Sequence, residues 1–559
     1  MSKLANPDNF ESMQSKLGSA SFVGHVTTTE VNIWVRVYRE GDWRLFISDI
    51  PLDIDPYSIQ PSDPIFSSNS SVQYQDKFIS SDTGQTHTFK FDNLLAGKKY
   101  YYYLMAVGEL YFSIERKIEL GIRTSYVFKT DLVDLSQFSF GFYSCHDPFG
   151  HRSFSEGLWP HFDEQLRERN ASFVIGGGDQ IYCDTHGRYK QSSHQQNKPQ
   201  IEDLWDWLAK HKKTLASAFN IDTASNESID EDGIKQYLKQ LYRTYYRIYW
   251  NTPAMLETFR KFPQYMIWDD HEIMDGWGSL TKSERANKLD HIFQWDNHQL
   301  NEKICQLAFK AASEVYLEYQ HNHNPSTPTD QWDYSFIKGE TGFYVLDMRG
   351  HHDVENNDGE RLLGKQQMAR LIAWLKKPET IALKAVFVVS PVPVVHWNDK
   401  IMNSIDLLLA VGGTKDDAQD EWGNDTNITE RNLLLGYLGT FSDKHKIPVT
   451  FLSGDVHCAS AFKIHLKDKP NAKLMNITSS GISRKPAPSY LDKLIEGDGP
   501  LYKHDTALVE TVFSLAGKNN FLIINVNTEI NPCRISVTMN FGEPVDDFIK
   551  QKVFFINEQ

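Results

Sequence analysis

The stretch ASFVIGGGDQIYCD, residues 171–184, decides the fold of this chain. A short apolar run ends at three glycines and Asp179, which is typical of a buried strand that finishes in a turn. Before it, apolar residues recur every four positions and predict a helix: Phe154, Leu158, Phe162 and Leu166. An alternating run at 138–142 precedes that helix. Strand, helix and strand in this order predict a βαβ unit, whose parallel strands are buried by the helix.

The N-terminal part of the chain shows a different pattern. Short apolar or alternating runs at 31–37, 43–47, 87–91 and 100–107 are separated by turn residues, which predicts an all-β sandwich. The stretch LLAGKKY at 94–100 is similar to the L-x-P-x-x-x-Y corner of fibronectin-type sandwiches, with Ala96 where proline is usual. A β domain of another kind is the alternative interpretation.

The composition of the chain bears on its partners and on the compartment in which it works. The chain has 559 residues and a net charge of −15, which argues against a specific nucleic-acid partner or an anionic membrane surface. Its five cysteines are scattered and form no C-x-x-C pair, as is typical of a reducing compartment. No signal peptide or twin-arginine motif opens the sequence, and the most apolar stretch, 385–395, is too short for a transmembrane segment. These features predict a cytoplasmic protein.

Four predicted strands end in polar residues that can hold metal ions. The first end is Ser-Cys-His-Asp at 144–147, the second carries Asp179, Tyr182 and Asp184, the third is Asp-Asp-His-Glu at 269–272, and the fourth carries Asp455 and His457. Any one of them could be an ordinary turn or helix cap. Ligands of open α/β sheets bind beyond the carboxyl ends of the strands, so four such ends favour a shared site.

The residue types at these ends indicate a metal site rather than a nucleophilic triad. Asp179, beside glycines, can bridge two cations, which in two-metal sites lie about 3.5–4 Å apart. Cys145 and Tyr182 as anionic ligands favour Fe(III). Asp270 and Asp455 form an oxygen-rich half that suits Ca, Mg or Mn, with Zn as a further alternative. The alternative without metals is a Cys145 nucleophile with His146 or His457 as its base.

Taken in order, the motifs G-D-x-x-Y, D-H-E and G-D-V-H resemble those of the calcineurin-like metallophosphoesterases. Within that superfamily the chain resembles the PhoD-like alkaline phosphatase/phosphodiesterase family. The resemblance covers roughly residues 20–540 and is carried by Ser144-Cys145, GGDQIYCD at 177–184, IWDDHEIMDGWGS at 267–279 and LSGDVH at 452–457. Weaker similarities are Asp347-Met348-Arg349, and Trp422 followed by Arg431.

The resemblance implies an α/β fold with a metallophosphoesterase β-sandwich flanked by helices, in four α/β/β/α layers, preceded by an N-terminal fibronectin-like all-β sandwich. The predicted division of the chain is an N-terminal arm at 1–15, the β-sandwich at 16–130, the catalytic domain at 137–545 with a helical insertion at about 186–245, and a C-terminal tail at 546–559. The Trp205 and Trp207 pair of the insertion is interpreted as core or lid packing, with a ligand platform as the alternative.

The resemblance also implies roles for single residues. Cys145, Tyr182 and His457 match ligands of the trivalent metal, Asp179 matches the bridging carboxylate, and Asp270 and Asp455 match ligands of the second metal. His271 matches the histidine that steadies the transition state or protonates the leaving group. Arg349 is expected to hold a phosphate oxygen or to form a salt bridge to Asp347 or a neighbouring acid. The predicted metal ligands are therefore Cys145, Asp179, Tyr182, Asp270, Asp455 and His457, and the predicted catalytic residues are His271, Asp270 and Arg349.

Two departures from the family pattern and two further features bear on the site and the compartment. The separate histidine motif before the last strand end has no clear counterpart, and His396 is the nearest candidate. His146 is expected to be a satisfied surface or capping histidine, or else an extra contact at the site. Relatives usually carry an export signal and this chain shows none, so export remains an alternative to the cytoplasm. Acidic residues at 412–430, among them Asp416, Asp417 and Glu421, are expected in a solvated loop or near the mouth of the site.

The function implied by these features is metal-dependent hydrolysis of a small-molecule phosphate ester, by in-line attack of a metal-bound water or hydroxide. The alternative is a phosphodiesterase or phospholipase-D-like activity, with the aromatic insertion at about 186–245 making room for the second ester arm. A catalytically silent binding protein on the same scaffold is a third hypothesis. The sequence leaves the substrate, the metal identities and the oligomeric state open.

Overall fold

The structure, a computed structural model, describes residues 19–50, 72–106, 126–150, 154–184, 201–221, 229–356, 360–402, 421–546 and 548–556. The predicted N-terminal arm at 1–15 lies outside these residues. Strands and helices are numbered here in chain order within the described part of the chain.

Seven strands form two antiparallel sheets at the start of the chain. They are β1 (Ala20–Val26), β2 (Val31–Arg36), β3 (Gly41–Ser48), β4 (Val72–Ile79), β5 (Thr86–Phe91), β6 (Lys99–Ala106) and β7 (Tyr126–Lys129). The sheet orders are β1-β2-β5 and β4-β3-β6-β7. Apolar side chains from both sheets form one core. The Leu95 backbone N–H donates to the Tyr100 hydroxyl at 2.9 Å, so the corner forms with Ala96 in place of proline.

The rest of the described chain contributes fourteen strands to two larger sheets. They are β8 (Gln137–Tyr143), β9 (Phe173–Gly177), β10 (Gln264–Ile267), β11 (Tyr334–Lys338), β12 (Thr341–Val345), β13 (Ala385–Ser390), β14 (Val449–Ser453), β15 (Ala459–Leu466), β16 (Leu474–Ser479), β17 (Gly499–Pro500), β18 (Ala507–Leu515), β19 (Asn519–Asn527), β20 (Arg534–Gly542) and β21 (Lys550–Phe555).

The two larger sheets each contain a parallel centre. The six-stranded sheet has the order β10-β9-β8-β19-β20-β21, in which β8, β9 and β10 are parallel. The eight-stranded sheet has the order β11-β12-β13-β14-β16-β15-β18-β17, in which β12, β13, β14 and β16 are parallel. The predicted tail at 546–559 contains β21, which pairs with β20, so this segment forms the edge of the six-stranded sheet.

The described part of the chain contains eleven α-helices, some of which cover the outer faces of the two larger sheets. They are α1 (Trp159–Glu168), α2 (Leu204–Lys210), α3 (Lys212–Ala218), α4 (Glu231–Tyr249), α5 (Pro253–Lys261), α6 (Lys282–Phe293), α7 (His298–Tyr319), α8 (Gly364–Leu375), α9 (Pro378–Ile381), α10 (Asp399–Met402) and α11 (Ile428–His445). Helix α1 packs on β8 and β19, and α8 and α11 share a core with the outer face of the eight-stranded sheet.

Aromatic rings join the inner faces of the two larger sheets. Phe140 of β8 packs edge-to-face against Phe343 of β12 and Phe387 of β13, with ring centroids 5.4 and 5.3 Å apart. Buried aromatic side chains of this size dominate the free energy of such a core. Helix, sheet, sheet and helix therefore stack in four layers behind an all-β N-terminal unit, and the predicted fold class is confirmed.

The described part of the insertion is helical and packs inward. It comprises α2, α3 and the first part of α4. Trp205 and Trp207 are both buried, and the Trp207 indole N–H donates to the Tyr237 hydroxyl at 2.8 Å. Both tryptophans belong to the hydrophobic core, so they offer no open aromatic platform. None of the helices in the described ranges combines the length and the apolar character needed to cross a bilayer.

An aromatic seam fixes the N-terminal sheets to the rest of the molecule. Phe22 of β1 stacks on Trp34 of β2, and both rings contact Trp250 just after α4. The Trp34 indole N–H donates to the carbonyl of Glu318 at 2.7 Å. The sandwich therefore packs against the end of α4 and against α7.

Candidate active site

The predicted site residues follow the carboxyl ends of strands from both larger sheets. Cys145 follows β8, Asp179 follows β9 and Asp270 follows β10, all in the six-stranded sheet. Asp455 follows β14 in the eight-stranded sheet. Because the two sheets lie face to face, these ends come together, and the space between them is here called the cleft. The structure brings together residues that lie hundreds of positions apart in the chain.

Left-handed backbone turns direct four of these side chains into the cleft. The φ angles are 56° at Cys145, 55° at Asp179, 62° at Asp455 and 51° at His457. Residues other than glycine adopt this region at a cost of about 1–2 kcal/mol each, and such strain concentrates at functional sites. Backbone hydrogen bonds hold the first two turns against each other, from the Cys145 N–H to the Gly178 carbonyl at 3.2 Å and from the His146 N–H to the Asp179 carbonyl at 2.8 Å.

One half of the cluster, here called the thiol side, consists of Cys145, Tyr182 and His457. The Cys145 thiol donates to Asp179 Oδ2 at 3.3 Å, and the Tyr182 hydroxyl donates to the same oxygen at 2.8 Å. That hydroxyl also lies 3.2 Å from His457 Nε2. Ser480, at the end of β16, places its hydroxyl 3.1 Å from the Cys145 sulfur. The three predicted ligands are thus within reach of one another around Asp179.

The other half, here called the carboxylate side, consists of Asp269, Asp270 and Asp455. One carboxylate oxygen from each of them and one from Asp179 all lie within 4.8 Å of one another. Three buried oxygens accept no hydrogen bond from any residue in the described ranges: Asp179 Oδ1, Asp269 Oδ2 and Asp270 Oδ1. Leaving such groups unpaired costs about 1–3 kcal/mol or more each, so this arrangement fits a bound cation.

The environment raises the pKa values of acidic groups on both sides, with Asp270 as an exception. Burial opposes ionisation of Asp270, but the charges of His271 and Arg349 lower its pKa below the ordinary value. Burial and the nearby Asp269 raise the pKa of Asp455 well above its ordinary value. Burial raises the pKa of Asp269 to about 7, although the Arg349 charge opposes the shift. Burial and the Asp179 carboxylate likewise raise the pKa of the Cys145 thiol. A cation reverses this effect, because it favours the carboxylate and thiolate forms.

The His271 imidazole is held at the edge of the carboxylate side. Its Nδ1 lies 2.9 Å from Asp184 Oδ1, and its ring packs 4.3 Å from the ring of Tyr182. Burial alone would lower the pKa of His271, but the carboxylates of Asp270, Asp179 and Asp184 raise it well above its ordinary value. Asp184 also accepts the backbone N–H of Asp275, which fixes the orientation of the pair. This geometry leaves Nε2 on the side of the ring away from Asp184.

Arg349 lies under the carboxylates instead of facing the cleft. Its Nε donates to Asp269, its Nη2 lies 3.8 Å from Asp270 Oδ1, and its Nη1 donates to the Trp277 carbonyl at 3.0 Å. Its side chain is 1% exposed. Of the two expectations for Arg349, the geometry matches a salt bridge to a neighbouring acid, and that acid is Asp269. Asp347 instead accepts hydrogen bonds from the Trp268 indole and from backbone N–H groups.

Two histidines considered from the sequence lie outside the cluster. His146 is fully buried, with Nδ1 2.9 Å from the Ser483 hydroxyl and Nε2 3.1 Å from the Tyr249 carbonyl. It is therefore a core histidine whose ring contacts Ser483 and Tyr249 and does not lie at the surface. His396 Nδ1 lies 2.8 Å from the Ser460 hydroxyl. Within the described part of the chain, neither histidine belongs to a group that could hold a metal.

The acidic segment at 412–430 is described only in part. Asp416 and Asp417 lie outside the described residues. Glu421 lies near enough to the cluster for its charge to raise the pKa of Asp455 further. Its position matches the expectation of an acidic residue close to the site.

Some residues of the site have no predicted role in the sequence. Glu272 accepts hydrogen bonds from the backbone of Gln180 at 2.6 Å and of Asp269 at 2.9 Å, which ties the ends of β9 and β10 together. Ser480 and Arg484 follow β16. The signal that could have identified them is a fifth strand end, the Ser-Ser-Gly-Ile-Ser-Arg run at 479–484, which has the same small and polar character as the other four.

Comparison with known proteins gives the class of this protein. The sequence model of the PhoD-like phosphatase family matches residues 140–512, which include every predicted site residue. The chain therefore belongs to the PhoD-like phosphatase family. A solved structure titled "Structure of PhoD" superposes with a TM-score of 0.62, covering 99% of this chain and 91% of that chain at 16% sequence identity. At that identity the similarity shows a shared fold.

A curated relative extends the comparison to a eukaryote. "Uncharacterized protein YGR266W" of Saccharomyces cerevisiae is 23% identical to this chain over 428 residues. The match covers 65% of this chain and 59% of that protein, so the chain spans somewhat more than half the length of this relative.

Proposed function

We propose that this protein hydrolyses phosphate esters with the help of two metal ions held around Asp179. The observation that carries the proposal is that the two oxygens of that carboxylate have different contacts. Asp179 Oδ2 takes the contacts of Cys145 and Tyr182, while Oδ1 accepts no hydrogen bond from the residues described by the structure. A carboxylate that contacts one half of a cluster through Oδ2 and has an oxygen within 4.8 Å of the other half's carboxylate oxygens suits a bridging ligand.

The residues of each side fit a different kind of ion. A thiolate, a phenolate and an imidazole on the thiol side suit Fe(III), a strongly Lewis-acidic ion. Carboxylate oxygens on the carboxylate side suit Ca²⁺, and Mg²⁺ or Mn²⁺ accept the same ligands, as does Zn²⁺. We propose Cys145, Tyr182 and His457 for the first ion, Asp270 and Asp455 for the second, and Asp179 for both.

The chemistry that such ions supply is neutralisation of the phosphoryl oxygens and a lowered pKa of a bound water. The protein itself would supply a proton from His271. Asp184 holds Nδ1, so a proton at Nε2 can be donated to the leaving oxygen or to a phosphoryl oxygen. The positive charge of Arg349 offsets the repulsion between the Asp269 and Asp270 carboxylates, and this maintains the geometry of the carboxylate side.

Monoester hydrolysis is the preferred form of this proposal. A diester needs apolar room for its second arm, and the two insertion tryptophans considered for that purpose are buried in the core. A diesterase remains the alternative outcome of the test, as does a binding protein without activity.

The test uses the purified full chain. We expect it to contain iron and a second metal by elemental analysis, to hydrolyse p-nitrophenyl phosphate faster than bis-p-nitrophenyl phosphate, and to lose this activity when EDTA and an iron chelator are present. Activity that survives removal of all metal would contradict the proposal and favour the Cys145 nucleophile. Faster turnover of the diester would favour the diesterase. Absence of hydrolysis in the metal-loaded protein would favour the binding protein.

A further inference from the structure

We propose that Arg484 binds the phosphoryl group of the substrate and gives the site its preference for dianionic monoesters. The inference rests on the proposed phosphate-ester hydrolysis and adds a residue that lies outside the four strand ends identified from the sequence. Arg484 reaches the site from the end of β16, beside the thiol side.

The position of Arg484 places a cation next to the candidate metal ligands. Its guanidinium carbon lies 4.6 Å from the centroid of the Tyr182 ring. The Tyr182 hydroxyl is in turn 3.2 Å from His457 Nε2 and 2.8 Å from Asp179 Oδ2. The Arg484 guanidinium therefore lies beside a ring whose hydroxyl belongs to the cluster, and an arginine fork suits a phosphoryl group bound there.

Both the backbone and the side chain of Arg484 are anchored. Its backbone N–H donates to the Cys145 carbonyl at 3.1 Å, and its own carbonyl accepts from the Asn519 amide at 2.7 Å. Its Nη1 donates to Asp147 Oδ2, and Asp147 is buried. An arginine held in this way loses little conformational freedom on binding, which is the advantage of preorganisation.

Exposure separates Arg484 from the other cations of the site. The Arg484 side chain is 21% exposed, whereas that of Arg349 is 1% exposed and lies against Asp269. His271 is committed at Nδ1 to Asp184. Arg484 is therefore the described arginine of this site that a ligand entering from solvent can meet.

Electrostatics favours such a residue for a dianion. The carboxylate side and Asp179 together place four carboxylates at the centre of the site. Two cations offset part of that charge, but a phosphate monoester brings two further negative charges. A fixed guanidinium on the approach side lowers the free energy of the bound dianion more than that of a singly charged diester.

The test compares Arg484→Gln with wild type in the metal-loaded protein. We expect KM for p-nitrophenyl phosphate and the inhibition constant of inorganic phosphate to rise about 10- to 100-fold, the loss typical of one charged hydrogen-bonded pair. KM for the singly charged bis-p-nitrophenyl phosphate should rise less than about 3-fold, since it gains less from the cation. Lys485→Gln, which removes an exposed neighbouring cation, is the matched control and should leave all three constants unchanged.

A second pair of variants separates substrate binding from a structural role. Arg484→Gln leaves the buried Asp147 carboxylate without its arginine, which could destabilise the fold. The double variant Arg484→Gln/Asp147→Asn removes both charges. If Arg484 binds substrate, the double variant keeps the high KM for the monoester. Recovery of wild-type KM in the double variant would show a structural salt bridge and overturn the inference.

The failures of the two proposals are distinguishable. If metal-loaded wild type hydrolyses neither ester, the proposed function fails and this inference fails with it. If wild type shows metal-dependent hydrolysis but Arg484→Gln leaves the monoester KM and the phosphate inhibition constant unchanged, the assignment of Arg484 alone is wrong.

Discussion

The two sides of the candidate metal centre are built on different principles. On the thiol side each donor already contacts another protein group: Cys145 contacts Ser480 and Asp179, and Tyr182 contacts Asp179 and His457. On the carboxylate side, Asp269 and Asp270 each keep a buried oxygen that accepts no hydrogen bond within the described part of the chain. The thiol side can thus hold its geometry without an ion, whereas the unpaired oxygens of the carboxylate side fit a cation.

The two sides differ in the free energy that their burial costs. Hydrogen-bonded neutral donors, such as a protonated thiol and phenol, cost little to bury. Like-charged carboxylates that share a buried site raise one another's pKa values and oppose folding until a cation arrives. Metal binding should therefore stabilise this protein mainly through the carboxylate side. Four experiments test this difference between the thiol side and the carboxylate side.

The largest effect is expected for Asp179→Asn, because this residue belongs to both sides. Loss of an outer partner of one metal already costs about 10–100-fold in affinity or activity. A change that weakens both ions should therefore lower kcat/KM for p-nitrophenyl phosphate at least about 10³-fold, with little iron or second metal retained. Asp163→Asn, on α1, is the control and should keep wild-type activity. Wild-type hydrolysis by Asp179→Asn would show that the carboxylate does not bridge.

The next effect tests the proton on the carboxylate side. Asp184→Asn removes the acceptor that orients His271, so we expect kcat to fall about 10²-fold, at the lower end of the range for general acid–base catalysis. The fall should be larger for phenyl phosphate than for p-nitrophenyl phosphate, because the poorer leaving group depends more on protonation. Equal losses for the two substrates would argue that the His271–Asp184 pair is purely structural.

The third experiment separates the two ions. Cys145→Ser should lower activity about 10–100-fold, reduce the iron content and remove the thiolate contribution to a visible iron absorption band, while the protein keeps its second metal. Asp270→Asn should do the reverse: the band stays and the second metal is lost or weakened. The measurements are visible spectroscopy and elemental analysis on the same samples. If either variant loses both metals together, the two sides are not independent.

The smallest effect concerns the stability of the metal-free protein. The folded-state pKa of Asp455 is raised, so the folded protein binds a proton that the unfolded chain, with an ordinary pKa near 4, releases. Stability of the metal-free protein should therefore fall as pH rises above about 4. Asp455→Asn should flatten this dependence and raise Tm at pH 8 by a few degrees in EDTA.

Differential scanning calorimetry of chelated wild type and Asp455→Asn at pH 5 and pH 8 measures this difference. Tm values that are equal for the two proteins at both pH values would show that the carboxylate side stores no such energy. The comparison with metal-loaded samples then gives the share of stability that the ions restore.

Much of the fold was open to prediction because its signals are local. The run at 171–184 carries a strand, a glycine turn and Asp179 in a single segment, and the structure has β9 and its turn there. The sandwich corner at 94–100 was likewise readable, since Tyr100 bonds to a residue five positions away. By contrast, β21 escaped prediction, because the edge strand at 550–555 is set by pairing with β20 rather than by its own pattern.

Part of the site could not be predicted from the sequence, because it depends on contacts between distant residues. Acidic residues such as Asp347 lie close to Arg349 in the sequence, but Arg349 pairs with Asp269, which is 80 positions away. His146 stands next to Cys145 in the chain, yet it turns into the core towards Tyr249 and Ser483. Neighbours in sequence separate when the backbone passes through a left-handed turn, as it does at Cys145.

The sequence by itself determined the chemical identity of the donors and their places after strands, because strand ends and turn residues are local features of the chain. Tertiary structure decided which donors meet, which charges are buried, and that Ser480 and Arg484 stand beside Cys145. The physical reason is the face-to-face packing of two sheets, which brings together strand ends separated by 335 residues in the case of Cys145 and Ser480. No local pattern encodes a contact of that range.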